Sequence, residues 1–78
     1  MSKAEIQVLH FFGFTEGTYP AGSFFRSLID AIKRADTPNS QKLYLGFPEY
    51  VDAVKAYQTG KNMSGDPVDI FANYEGTH

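Results

Sequence analysis

Apolar residues recur with a helical period through the middle of this chain. Phe25, Leu28, Ile29, Ile32 and Ala35 follow an i, i+3, i+4, i+7 spacing, which makes one continuous stripe. Arg26, Asp30, Lys33 and Arg34 fall off that stripe and belong to solvent. Ser23 stands where an N-cap is needed. Asp30 and Arg34 form an i, i+4 pair, and Lys33 and Arg34 suit the negative end of the helix dipole.

Two more helices are announced by proline. In the first, Thr37 caps and Pro38 takes the first helical position, where its missing N–H has no intrahelical partner to lose. This segment spans residues 38–45, turns Leu43 and Tyr44 or Leu45 inward, and ends at Gly46 in a left-handed turn. The second starts at Pro48, carries Glu49 in its positive first turn and points Val51, Val54 and Tyr57 inward. Gly60 closes it, and Phe47 is placed to pack back as a staple.

The flanks are less regular. Ser2 and Glu5 make an S-x-x-E capping box, which predicts a helix over residues 3–12. Ile6, Leu9 and Phe12 or Gly13 would form its face, widened by Val8 and Phe11. The alternation of Ile6, Val8, His10 and Phe12 also permits a strand over residues 4–12, which would make the fold α+β. Residues 14–22 hold two glycines and a proline and read as a loop. Residues 59–66 read as a polar linker. Asp66-Pro67 then resembles a further helix start, with Asp69 in the first turn and Ile70, Phe71 and Tyr74 as apolar contacts. The expected fold is all-α, a small bundle of three to four short helices over residues 1–60. Residues 61–78 form an acidic tail with a short helix.

Composition supplies a core but no staple. The chain has 78 residues, seven Phe, five Tyr and no Cys. A domain this small buries about 60–70% of its unfolded surface, so large rings are the available remedy, and dimerisation is another. The lack of Cys excludes Cys-ligated zinc and thiol chemistry. The opening MSKAEIQVLHFF has no long apolar core, so no secretory leader is expected. No apolar run approaches the ~20 residues of a membrane span. The expected location is the cytoplasm. Net charge is −2, with five basic and four acidic residues in 1–46 against two and five in 47–78. A nucleic-acid binder shows a basic excess that is missing here.

Reactive groups are few. His10 has no carboxylate at helical spacing, and His78 is the last residue. Glu49 with Asp52, and Asp66 with Asp69, are i, i+3 pairs at predicted helix starts, where capping and the dipole explain them. The glycines match no phosphate-binding pattern. No catalytic residue, metal site or cofactor is expected. The segment joining residues 35–38 has the length of a helix-turn-helix connection, with Asn39, Ser40, Gln41 and Lys42 at the start of the second helix. A small DNA-binding regulator is therefore the alternative function. Only Lys42 among those four is charged, which favours a polar solvent face.

The rings carry the remaining expectation. Most belong to the core, but twelve strain what a small core can hold, and an exposed aromatic group marks a partner surface. Phe11, Phe14, Tyr19, Ile70, Phe71 and Tyr74 are the expected partner-binding set. The acidic tail either docks as a short helix into a partner groove or folds back on its own bundle.

Gly22-Ser23-Phe24, Leu28-Ile29, Ala31, Ala35-Asp36, Asn39, Leu43, Gly46-Phe47-Pro48, Val51 and Ala53 carry a resemblance. Over residues 22–58 the chain resembles a family of small uncharacterised proteins encoded by tailed phages of actinobacteria. These are capping and packing residues, so the resemblance specifies a fold more than an activity and brings no catalytic residues. It implies a phage accessory protein. The expected function is non-enzymatic protein–protein binding, with a host protein or a second copy as partner and a basic counterpart for the acidic C-terminal third.

Overall fold

A computed structural model describes residues 3–14 and 22–71. Ser2, Tyr19, Tyr74 and His78 lie outside these, and so does the expected Ser2 capping box. Four helices follow in order: α1 (Lys3–Phe11), α2 (Ser23–Arg34), α3 (Thr37–Gly46) and α4 (Pro48–Thr59). No strand occurs among the described residues, and the fold is all-α. None of these helices is long and apolar enough to cross a membrane.

Residues 3–11 are helical, so the strand alternative is overturned. The buried face differs from the expected one. It is made of Ala4, Gln7, Val8 and Leu9, and Ile6 is only half-buried. Gly13 explains how α1 ends. Its N–H donates to the His10 carbonyl at 3.0 Å, and its φ of 101° turns the chain so that the Phe14 N–H reaches the Leu9 carbonyl at 2.9 Å. This double closure is a Schellman turn, and it folds Phe14 back over Leu9 and the core.

In α2 the stripe holds for Leu28, Ile29 and Ile32, which are buried. Its N-cap is Gly22, not Ser23, and no side chain caps it. Ala35 leaves the helix with ψ 136°, because Asp36 must be extended (ψ 177°) to cap the next one. The Asp36 Oδ1 accepts the Asn39 N–H at 3.0 Å, so Asp36, not Thr37, is the cap of α3. Thr37 and Pro38 are therefore the first two helical residues. A carboxylate in this position also meets the positive end of the helix dipole, which a hydroxyl does less well.

The expected left-handed turn at Gly46 is absent. Positive φ among the described glycines occurs at Gly13, Gly60 and Gly65, and α3 runs through Gly46. One residue, Phe47, makes the whole connection. Its N–H donates to Leu43 at 2.8 Å, and its carbonyl accepts from Val51 at 3.1 Å. Pro48 can follow at once because a first-turn residue needs no N–H. Leu43 and Tyr44 pack against the core, whereas Leu45 is 86% exposed. Gly60 closes α4 at φ 79°, as its position predicts.

Residues 61–71 form no helix, so Asp66-Pro67 is not a helix start. Lys61 and Pro67 form an isolated antiparallel bridge, closed by a turn in which Gly65 takes φ 87°. The Asn62 Oδ1 accepts the N–H groups of Ser64 and Asp66, both at 3.0 Å. Asp52 of α4 accepts the Met63 N–H at 3.0 Å and ties the turn down. Asp69 caps locally by accepting the Phe71 N–H at 2.9 Å. These bonds use the backbone groups that a helix would have needed. The segment folds back on the bundle, with Ile70 3% exposed among Val8, Leu9, Leu28, Ile29, Ile32, Val51 and Val54 in the core cluster.

Candidate binding surfaces

The rings are arranged in two groups, one around Tyr57 near the end of α4 and one around Tyr50 near its start. In the first, Phe12 stacks on Tyr57 with centroids 4.0 Å apart and planes 8° apart. Phe11 meets Phe12 edge-on, and Phe14 meets both Tyr57 and Phe71 edge-on. In the second, Phe25 stacks on Tyr50 at 5.0 Å, Phe24 meets Phe25 edge-on at 5.1 Å, and Phe24 lies 6.0 Å from Phe47. The edge-on contacts are of the kind the ring quadrupole favours.

Of the expected partner-binding set, Ile70 is in the core and presents nothing to a partner. Phe11 and Phe14 are half-buried against that core. Phe71 is 40% exposed and lines a groove of about 560 Å³ with Tyr57, Pro67, Val68 and Asp69. Tyr19 and Tyr74 lie outside the described residues. Among the described residues the most exposed ring is Phe24, at 60%, which that set omits. A signal for it was present: on a helical wheel Phe24 stands about 90° from the centre of the Phe25–Leu28–Ile29–Ile32 stripe.

The helix-turn-helix reading loses one residue. Asn39, Gln41 and Lys42 are exposed, but Ser40 is 1% exposed and faces inward, so it cannot meet a base edge. Its Oγ has no hydrogen-bond partner.

The acidic residues are partly structural. Glu5, Glu49 and Asp52 line a pocket of about 220 Å³ floored by Ala53 and Val68, and Asp52 is engaged by Met63. Among the described residues no group of three or more His, Asp or Glu side chains is placed to hold a metal ion. Glu49 has an electrostatic role toward its neighbour. The Tyr50 phenol is pushed above its ordinary value, first by burial and then by the Glu49 charge. Tyr50 Oη donates to Gln7 Oε1, a bond between α4 and the buried amide of α1.

A further cleft lies between α2 and α3. Ala31, Ala35 and Leu43 floor it, Arg34, Asn39 and Lys42 rim it, and its volume is about 350 Å³. Arg34 Nε meets Asp30 at 3.3 Å, and the Arg34 side chain is still 75% exposed.

These features define a small all-α protein, with four helices among the described residues and surface clefts lined by aromatic and charged side chains. No family model, curated protein or solved structure matches the chain.

Proposed function

We propose that this chain is a non-enzymatic accessory protein, phage-encoded as the resemblance over residues 22–58 implies, that acts by binding another protein. Phe24 carries the reading. Its ring is held by Phe25 and Phe47 yet is 60% exposed. A large ring already fixed in place loses little conformational freedom on binding, which is the property of an interface anchor. Leu45 and Phe71 add exposed apolar area elsewhere on the surface. The partner is a host protein or a second copy of the chain.

Affinity capture from a host lysate tests this. A specific protein is expected with the native chain and with a Lys61→Ser control, and is expected to be lost with Phe24→Ser. Sedimentation of the purified chain distinguishes self-association from a foreign partner. Capture unchanged by Phe24→Ser, with a Phe24-independent monomer in sedimentation, would sink the reading. The alternative, a DNA-binding regulator, is favoured instead if random-sequence duplex DNA binds in a salt-sensitive way.

A further inference from the structure

We propose that the cleft between α2 and α3 receives an acidic segment of the partner protein that carries an apolar anchor. The inference rests on the protein-binding reading above and names the chemistry of the partner.

The cleft has both parts of such a site. Ala31 and Ala35 are small, and α3 stands beside them with Leu43, so the floor is apolar and shallow enough for an aliphatic side chain. Phe24 and Ala31 share a face of α2, seven residues apart, which extends the same apolar strip toward the start of that helix. The rim is cationic. Arg34 and Lys42 approach the cleft from opposite helices. Residues 23–46 hold four basic residues (Arg26, Lys33, Arg34, Lys42) and two acidic ones (Asp30, Asp36), and of the four Arg34 and Lys42 line the cleft. Asp36 is occupied in capping α3. The rest of the described chain has the opposite sign, with Glu5, Glu49, Asp52, Asp66 and Asp69 against Lys3, Lys55 and Lys61. The cleft rim therefore carries two cations, Lys42 and an Arg34 that stays 75% exposed beside Asp30, and none of its lining residues is acidic, so complementary charge would both steer and register an acidic partner.

A nucleic acid fits less well. Its phosphates would gain from Arg34 and Lys42 but nothing from Ala31, Ala35 and Leu43, and the net charge of −2 opposes it. The paired helices suit a peptide, which can use the floor and the rim together.

A random dodecapeptide library panned against the native chain tests the proposal, with random-sequence duplex DNA as a parallel probe. The enriched peptides are expected to be rich in Asp and Glu around a Leu, Ile, Met or Phe. An enriched peptide, measured by fluorescence anisotropy at low salt, is expected to bind the double variant Arg34→Glu/Lys42→Glu about tenfold more weakly or worse. Ala31→Trp fills the cleft without changing a charge and is expected to abolish binding. Lys61→Glu serves as the remote control and is expected to leave it nearly unchanged. Far-UV circular dichroism and a melting curve confirm that each variant is folded; these four side chains are exposed, which makes the substitutions compatible with folding. Enriched peptides that are neutral or basic, and that ignore Arg34→Glu/Lys42→Glu, would overturn the acidic partner while leaving protein binding intact. Absence of peptide enrichment together with salt-sensitive DNA binding would overturn both.

Discussion

Gln7 and Tyr50 join α1 to α4 through a phenol–amide hydrogen bond, with Gln7 4% exposed. Removing one partner strands the other, which is costlier than removing both. Tyr50→Phe is expected to lower stability by about 1–3 kcal/mol in urea unfolding, and Gln7→Leu combined with Tyr50→Phe to recover much of that loss. The pH dependence has a definite sign. Burial, and then Glu49, raise the Tyr50 pKa above 10.0 in the folded state. The folded chain thus holds this proton more tightly than the unfolded one. The contribution is complete below the unfolded value and is lost as pH rises through the raised one. Melting temperature measured against pH should fall less steeply on the alkaline side in Tyr50→Phe. Ser40 is the opposite case. Its buried hydroxyl has no partner, so Ser40→Ala is expected to be neutral or to raise stability by about 1 kcal/mol.

At the scale of the element, the connections are the least legible part of the sequence. The positions of α2, α3 and α4 follow from their stripes and prolines, and the closing of α4 at Gly60 follows from its glycine. The caps are harder to read because neighbouring residues compete for them. Asp36 and Thr37 can both cap in principle, and only the backbone angles show that Asp36 does. Gly46 resembles a stop signal, but Pro48 allows the next helix to begin so soon that no left-handed residue is needed. Denaturation can check both points. Asp36→Ala is expected to cost about 1 kcal/mol, whereas Thr37→Ala should stay within about 0.5 kcal/mol. Gly46→Ala meets nothing within 4 Å and sits in an ordinary helical turn, so it should raise stability by about 0.4–1 kcal/mol. Gly60→Ala, at φ +79°, should lower it by about 1 kcal/mol.

For the whole molecule, the all-α architecture was legible, and the place of residues 61–71 was not. Periodicity identifies helices but is blind to an irregular segment whose order comes from Asn62, Asp52 and Asp69 side chains bonding to backbone. Ile70 therefore looked like surface and is core. Ile70→Ala should cost about 2–5 kcal/mol by thermal or urea unfolding, as a cavity-forming substitution does. The candidate site was missed for a related reason. Phe24 lies beside the apolar stripe, and a cleft between two helices depends on how they pair, which no single helix encodes. That pairing is organised by α4, which contacts α1, α2 and α3, while α1 and α3 do not contact one another. A hub of this kind is the last element to lose its neighbours. The amides around Val51 and Val54 can meet solvent only when every neighbour has let go, so their hydrogen–deuterium exchange should report the global unfolding equilibrium, while α3 opens at lower free energy.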